Sequence, residues 1–232
     1  MKRFGIIAAM EEEMQEIENI MNEKEFQKIY ELNFIKGEIN ENEVVLVEAG
    51  VGKVNAARTT QILLDNFKVD AIINVGSAAS ANDELEIGDI VVGSKIVQHD
   101  FDITAFGHPK GYISNVGQFL ESDTNLIKKM QQTILDMQDN EFKIKIGTIA
   151  SGDIFCTELK MKEKIRTKFD ADAIEMEGAA IGQVCKLDNI PFIIIRSISD
   201  KPNGDNHITF EQFLEKASKR CAQIIKEFLN YA

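Results

Sequence analysis

Short apolar runs alternate with amphipathic segments along almost the whole chain. Runs rich in Ile, Val and Ala are typical of strands buried on both faces, as a parallel sheet requires. Apolar positions that recur every three or four residues are typical of amphipathic helices. The predicted strands are 4–9, 33–39, 43–49, 70–76, 87–93, 142–151, 173–176 and 192–195. The predicted helices are 10–23, 53–66, 124–137, 157–168, 177–187 and 209–229, and the glycine-rich stretch 100–119 is a predicted loop.

The alternation of strand and helix patterns predicts one α/β domain. It favours a three-layer α/β/α sandwich around a largely parallel, mixed central sheet, in which 33–39 and 43–49 form a hairpin. The chain has 232 residues, enough for one sizeable core, and no internal repeat, low-complexity tract or linker divides it. We therefore expect a single domain over 1–232.

Charge and cysteine usage narrow the classes of partner and compartment. The net charge of -12 argues against binding nucleic acid or an anionic membrane through a basic face. The longest apolar stretches are shorter than a membrane span, and residues 1–5 run straight into a predicted strand without a secretory signal pattern. Cys156, Cys185 and Cys221 are widely spaced and odd in number, which is typical of reduced thiols in the cytoplasm.

Metal and phosphate-loop chemistry find little support. His99, His108 and His207 lie far apart, in none of the spacings typical of a metal site. Residues 50–57 carry two glycines and Lys53, but the spacing differs from that of a phosphate loop and no Ser or Thr follows the lysine. The pattern indicates a tight strand-to-helix turn at which the backbone passes close to another part of the protein.

Polar side chains occur where the predicted strands stop. Ligands of open α/β sheets lie beyond the carboxyl ends of the strands. The residues at these ends are Glu13 after the first strand, Ser77 after 70–76, Glu177 after 173–176, and Arg196, Ser197, Ser199 and Asp200 after 192–195. Each carboxylate also has an ordinary explanation, since acidic residues stabilise a first helical turn and Asp200 fits a turn before 201–204. Together, three carboxylates and an arginine at one edge of a sheet predict a binding site.

Nine short segments carry a family resemblance that covers essentially the whole chain. They are residues 5–13 (Gly-Ile-Ile-Ala-Ala-Met-Glu-Glu-Glu), 50–54, 74–77, 88–92, 102–107, 151–153 (Ser-Gly-Asp), 175–177 (Glu-Met-Glu), 196–200 (Arg-Ser-Ile-Ser-Asp) and 210–213. In this order they resemble the motifs of the 5′-methylthioadenosine/S-adenosylhomocysteine nucleosidases, within the nucleoside phosphorylase superfamily.

The resemblance implies hydrolysis of the N-glycosidic bond of these two adenine nucleosides, with 5′-deoxyadenosine as a further substrate. The products are adenine and a 5-thio-substituted ribose, and neither a metal nor an organic cofactor is needed. It makes Asp200 the general acid that protonates adenine N7, and Glu13 the base that activates water with help from Arg196 and Ser77. Glu177 accepts hydrogen bonds from the ribose hydroxyls.

The resemblance also implies binding residues and a homodimer. Met176 packs on the ribose, Phe155 stacks on adenine, the backbone of Cys156 bonds the adenine edge, and Phe210 closes over the site. The other implied contacts are Ser199, with Ala9, Met10 and Val51 lining the sugar and alkylthio pocket, and Ile103 and Phe106 reaching the neighbouring subunit's site. For the apolar residues, ordinary core packing is the alternative, above all for Val51 and Ile103.

Two departures from the family pattern leave the substrate preference open. Residues 78–80 are Ala-Ala-Ser where the family commonly has Ala-Gly-Gly, and the loop 108–113 has its own sequence. We expect that loop to influence the alkylthio pocket.

Three other functions fit parts of the sequence. A purine nucleoside phosphorylase would need several arginines around phosphate, but Arg196 alone among the five stands at a clear strand end, and Glu13 would repel the anion. A nucleosidase acting mainly on 5′-deoxyadenosine or 6-amino-6-deoxyfutalosine would share the same acid, base and ribose contacts. A non-catalytic nucleoside-binding protein could dispense with Asp200 and Glu13, yet both are present.

Overall fold

Within the described part of the chain, ten strands and six helices follow each other in the order that the sequence patterns largely predict. The computed structural model describes residues 2–137, 142–201 and 206–231, with the side chains of 206–209, and hence the imidazole of His207, outside the described part. The strands are β1 (Arg3–Ala8), β2 (Asn22–Ile29), β3 (Leu32–Ile39), β4 (Asn42–Glu48), β5 (Ala71–Ser80), β6 (Ile90–Gln98), β7 (Leu120–Glu121), β8 (Ile144–Ser151), β9 (Ala173–Glu175) and β10 (Phe192–Asp200). The helices are α1 (Glu11–Glu18), α2 (Lys53–Asn66), α3 (Thr124–Asp136), α4 (Leu159–Phe169), α5 (Gly178–Leu187) and α6 (Asn206–Phe228).

The strands form one mixed sheet, part of which closes on itself. Parallel pairing joins β4, β1, β5 and β10 in turn, and β6 to β8 to β9. Antiparallel pairing joins β10 to β6 and β9 to β5, so that β5, β10, β6, β8 and β9 make a closed ring. The hairpin of β3 and β4 is confirmed, and β2 extends the sheet beyond it.

Helices cover the sheet on both sides, which confirms the three-layer architecture. On one face, α2 and α5 pack together and bury residues such as Leu63 and Ile181 against Ile7 and Ile194. On the other face, α1, α3 and α6 bury residues such as Ile17 and Ile225. Every side chain of β10 is buried, as expected for a strand covered from both sides. In the described ranges, no helix is long and apolar enough to cross a membrane.

The predicted helix 10–23 is wrong in its second half. Helix α1 ends at Glu18, and β2 begins at Asn22. Sequence patterning missed β2 because seven of its eight residues are exposed and mostly polar, so that the strand contains no apolar run. Among the described strands, β2 pairs through its backbone only with β3.

The predicted end of the last strand is also wrong. β10 does not stop at Ile195 but continues through Arg196 and Ser197 to Asp200. In this part it pairs with β5, which likewise runs on to Ser80 through the stretch that the sequence analysis took for a turn. Several polar groups are satisfied inside the protein, since Nη2 of Arg196 donates to Glu175 and Asn74 and the hydroxyl of Ser199 donates to Asp200.

Candidate active site

A cavity of about 420 Å³ lies where the ends of several strands meet. Its lining comes from the segments that follow β1, β4, β8 and β9, from the last part of β5, β9 and β10, and from the first turns of α1 and α6. The lining residues are Ala9, Met10, Glu13, Val51, Ser77, Ala78, Ala79, Ile154, Phe155, Cys156, Ile174, Glu175, Met176, Glu177, Ser199, Asp200, Phe210 and Glu211. The cavity thus combines an apolar wall with a group of carboxylates.

Glu13 is fixed at this cavity by hydrogen bonds to the residue that follows β1 and to a residue of β5. Its side chain is buried, Oε2 accepts the backbone N–H of Ala9 at 3.0 Å, and Oε1 accepts both the backbone N–H and the hydroxyl of Ser77 at 2.8 Å. A Cβ at position 76 would lie only 2.9 Å from Oε1, so that Gly76 leaves the space that the carboxylate occupies. Glu13 is therefore held as a hydrogen-bond acceptor in one position.

Glu177 stands directly before α5 and is 6% exposed. Its Oε1 accepts the backbone N–H of Gly52 at 2.8 Å. Burial, and next the nearby carboxylate of Glu175, raise the pKa of Glu177 to about 8. The predicted close approach of the 50–53 turn is therefore real, and the group that it approaches is Glu177.

Glu175 and Arg196 form a buried ion pair behind this carboxylate. Oε2 of Glu175 accepts Nη2 of Arg196 at 2.5 Å and the backbone N–H of Gly178, in the first turn of α5, at 2.8 Å. Oε1 accepts the hydroxyl of Ser151, while Nη2 of Arg196 also donates to Asn74 at 2.5 Å. Both side chains of the pair are at most 2% exposed. A charge buried this deeply requires such partners.

Asp200 ends β10 and is 1% exposed. Its Oδ1 accepts the hydroxyl of Ser199 at 2.8 Å. The pairing of β10 with β5 shifts register between Ile198 and Asp200, the kind of irregularity that redirects side chains near active sites. Burial, and next the charge of Asp200, raise the pKa of the Cys156 thiol to about 11, which keeps that thiol neutral beside the carboxylate.

Two aromatic rings form the apolar wall. Phe155 and Phe210 meet edge to face, with ring centroids 5.7 Å apart and planes at 76°. Phe155 is 40% exposed and the neighbouring Ile154 is 47% exposed. A flat apolar ligand can stack against such a wall while carboxylates bind its polar end.

Comparison with known proteins assigns the family. A sequence profile of the Phosphorylase superfamily matches residues 3–230. The chain is 38% identical over 227 residues to a 5′-methylthioadenosine/S-adenosylhomocysteine nucleosidase of Staphylococcus aureus, a match that covers 97% of this chain and 98% of the relative. It superimposes on the crystal structure of the S-adenosylhomocysteine nucleosidase of Streptococcus pyogenes in complex with 5-methylthiotubericidin with a TM-score of 0.94 and 38% identity, over 99% of this chain and 96% of the other. The chain belongs to the 5′-methylthioadenosine/S-adenosylhomocysteine nucleosidase family.

The nucleosidase family has a structural neighbour with a different name. The futalosine hydrolase of Helicobacter pylori matches this chain with a TM-score of 0.94 and 32% identity, over 100% of this chain and 98% of the other. The fold is therefore shared by enzymes named for different nucleosides.

Most of the residues that the nucleosidase resemblance implied lie together at the cavity. They are Ala9, Met10, Glu13, Val51, Ser77, Phe155, Cys156, Met176, Glu177, Ser199, Asp200 and Phe210. Arg196, Ile103 and Phe106 are not part of its lining within this chain. Arg196 is instead buried in β10, and Phe106 is 81% exposed on the loop after β6.

The sequence analysis did not predict six of the residues that line the cavity of this nucleosidase. These are Ala78, Ala79, Ile154, Ile174, Glu175 and Glu211. Each is adjacent, directly or through another of the six, to a residue that was named. Their position next to a predicted site residue is therefore the sequence signal that could have found them. Glu175 also belongs to the Glu-Met-Glu motif.

Proposed function

We propose that this protein hydrolyses the N-glycosidic bond of 5′-methylthioadenosine and S-adenosylhomocysteine and releases adenine with the 5-thio-substituted ribose. The observation that carries the proposal is the meeting of Glu13, Glu177 and Asp200, from three separate elements, at one cavity of about 420 Å³. The identity of 38% to a nucleosidase named for both substrates supports it.

In this mechanism Asp200 protonates the leaving adenine. Breaking the bond to N9 leaves negative charge on the base, and a proton on N7 relieves that charge. The carboxyl group of Asp200 is almost fully removed from water and lies beside Phe155 and Cys156 in the lining. An environment without bulk water favours the neutral, proton-donating form of a carboxyl group.

Glu13 activates the water that attacks the ribose. Oε1 accepts two hydrogen bonds from Ser77, whereas Oε2 accepts one from Ala9 and keeps a lone pair for a water proton. Because the bonds fix the carboxylate before substrate arrives, little reorganisation is needed in the transition state.

Arg196 assists this water in the role that the resemblance gives it. Its Nε–H is buried and has no hydrogen-bond partner among the described residues. Because Arg196 lies behind the cavity lining, we propose that it helps the reacting water through its positive charge, which interacts with Glu13. The guanidinium also holds Glu175 and Asn74.

Glu177 binds the ribose hydroxyls. Those hydroxyls donate to the ionised carboxylate, so substrate binding favours loss of the proton that a pKa of about 8 leaves on Glu177 at neutral pH. The resulting negative charge then stabilises the positive charge that develops on the ribose. Phe155 stacks on the adenine ring, Met176 packs on the sugar, and Ala9, Met10 and Val51 surround the alkylthio group.

From the cysteine pattern, we propose the cytoplasm as the compartment of this protein.

A second copy of the chain completes the site. Two apolar side chains of the lining are exposed in the single chain, Val51 at 48% and Ile154 at 47%, and Phe106, on the loop after β6, is 81% exposed. Exposed large apolar residues of this kind are typical of an interface. Ile103 and Phe106 then reach the neighbouring subunit's cavity.

Water, not phosphate, is the nucleophile. Phosphate sites use arginine or lysine for charge-assisted hydrogen bonds. No arginine or lysine lines the cavity within the described residues, whereas five carboxylates do. Such a lining repels a phosphate anion.

A second candidate is a nucleosidase for 6-amino-6-deoxyfutalosine, which the likeness to the Helicobacter pylori futalosine hydrolase favours. Adenine release from methylthioadenosine, adenosylhomocysteine, 5′-deoxyadenosine and aminodeoxyfutalosine, with and without phosphate, separates the possibilities. We expect the first two to be hydrolysed fastest and phosphate to have no effect. Ribose 1-phosphate among the products would overturn hydrolysis, and a preference for aminodeoxyfutalosine would establish the second candidate.

A further inference from the structure

The turn between β4 and α2 carries a hydrogen-bond donor into the active site. Gly50 and Gly52 have φ values of 80° and 97°, a conformation that side-chain-bearing residues rarely adopt. The turn directs the backbone N–H of Gly52 to Oε1 of Glu177 at 2.8 Å. The amide of Asn55 donates to the carbonyl of Val51 at 2.8 Å and closes the turn from inside.

Three residues outside the cavity lining form a closed ring of hydrogen bonds around this turn. The backbone N–H of Lys53 donates to Oδ1 of Asp153 at 2.8 Å. The backbone N–H of Asp153 donates to Oδ2 of Asp100 at 3.0 Å. The ammonium group of Lys53 returns to Oδ1 of Asp100 at 2.7 Å. Asp153 thus binds the backbone of Lys53, Asp100 binds its side chain, and the two aspartates are joined to each other.

The ring joins two walls of the cavity. Lys53 directly follows Gly52, and Asp153 directly precedes Ile154 and Phe155, which belong to the apolar wall. Asp153 Oδ1 also lies 3.2 Å from where a Cβ on Gly52 would be. The position of the Gly52 N–H is therefore tied to the segment that bears Phe155.

The groups around Glu177 make its ionisation depend on the hydrogen bond from Gly52. The groups that face Glu177 are Glu175 on β9, Arg196 on β10 and Glu13 on α1. Burial and the two other carboxylates favour the neutral acid, whereas Arg196 and the Gly52 N–H favour the ionised form. Of these two groups, only the Gly52 N–H is positioned by a surface turn.

We propose that Lys53, Asp100 and Asp153 are positioning residues whose ring of hydrogen bonds holds the Gly52 N–H on Glu177 and so prepares this carboxylate to bind ribose. The assignment rests on the proposed function for the role of Glu177. None of the three lines the cavity, so they act through Gly52 and not on the substrate.

Two substitutions at one position test the ring kinetically. Asp153→Ala removes the acceptor of the Lys53 N–H, whereas Asp153→Asn keeps an oxygen there. We expect Asp153→Ala to raise KM for methylthioadenosine about tenfold, the size typical of losing a hydrogen bond to a charged group, with a smaller fall in kcat. Asp153→Asn should restore most of the wild-type KM. Asp83→Asn, which alters the partner of Lys162 outside the cavity, is the matched control and should leave both constants unchanged.

A readout that needs no turnover separates this inference from the proposed function. The carboxyl carbon of Glu177, assigned through Glu177→Gln, is titrated by NMR in the ligand-free protein. We expect its midpoint to move to higher pH in Asp153→Ala and in Lys53→Met, because the ionised form loses a donor, and to stay in place in Asp153→Asn. Lys53→Met carries the test if Asp153→Ala does not fold.

Each outcome decides one question. A merely structural ring would lower the apparent kcat through loss of folded protein and leave KM and the Glu177 midpoint unchanged, and that result would overturn the inference. An equal effect of Asp153→Ala and Asp153→Asn would overturn it too. If the wild-type protein releases no adenine, the proposed function fails, while the titration still shows whether the ring holds Gly52 on Glu177.

Discussion

Ser77 donates two hydrogen bonds to a single oxygen of Glu13, one from its backbone N–H and one from its hydroxyl, each 2.8 Å long. The two residues come from α1 and β5, so the contact fixes the helix end against the strand as well as the carboxylate. Because the other oxygen of Glu13 is bound to Ala9, rotation of the carboxylate would break bonds on both sides. The base of the proposed reaction is therefore rigid before substrate binds.

Glu13→Gln tests whether this rigid group acts as the base. The amide preserves the size of the side chain but cannot take a proton from water, so we expect kcat to fall by about 10²–10⁴ with a smaller change in KM. Steady-state adenine release measures both constants. Glu11→Gln, at an exposed position of the same helix, should have no effect. A Glu13→Gln protein that retains wild-type kcat would remove Glu13 from the mechanism.

Gly76→Ala should inactivate the enzyme through the same carboxylate. The new Cβ would lie 2.9 Å from Oε1 of Glu13 and force the carboxylate out of position. We expect a lower kcat in the single variant and little further loss when Gly76→Ala is added to Glu13→Gln, because residues that act through one contact are not additive. Independent, additive losses would show that Gly76 matters for another reason.

Asp200→Asn tests the proton donor. We expect a fall in kcat of about 10²–10⁴, the usual contribution of general acid catalysis. The 7-deaza analogue of methylthioadenosine, with carbon in place of N7, should bind the wild-type protein and resist cleavage. Asp170→Asn, at an exposed carboxylate, is the control. Rapid cleavage of the deaza analogue would show that N7 is not the site of protonation.

Ligand binding at pH 7 should release a proton from Glu177. Its pKa of about 8 leaves it protonated in the empty site at this pH, and the ribose hydroxyls favour the ionised form, so the pKa falls on binding. Calorimetry with the 7-deaza analogue in buffers of different ionisation enthalpy measures the release. The release should vanish in Glu177→Gln and diminish above pH 9, where Glu177 is already ionised. Proton uptake at pH 7 would contradict the assignment.

Arg196→Met should destabilise the fold as well as slow the reaction. It leaves the carboxylate of Glu175 buried without its cation, which costs about 3–5 kcal/mol in the free energy of unfolding. Urea denaturation measures this loss. The double variant Arg196→Met/Glu175→Leu should recover much of it, because no uncompensated charge remains. Lys219→Met, which breaks an exposed pair with Glu215, should leave the stability unchanged.

Periodicity predicted the buried elements well and the exposed ones poorly. Helix α2 has the predicted bounds because its apolar positions face the core at a regular spacing. Strand β2 has no such face, so its pairing with β3 left no trace in the pattern of apolar residues.

The cavity residues could be foreseen where a strand or motif ended in a polar group, as at Glu13 and Glu177. Arg196 shows the limit of that rule. The rule placed it in an open crevice, whereas β10 continues past it and buries it against Glu175. The sequence contains both partners of this pair but not the sheet geometry that brings β9 and β10 together.

The closed ring of strands limits the ways in which this protein can aggregate in concentrated solution. Strands inside a ring have no free backbone edge, and among the described strands only β2 and the two-residue β7 have a single partner. An open edge invites strand-to-strand aggregation. In β2 that edge carries the charged residues Glu23, Lys24, Glu25 and Lys28 around the exposed Phe26. These charges disfavour strand-to-strand association at the long edge that the fold leaves open.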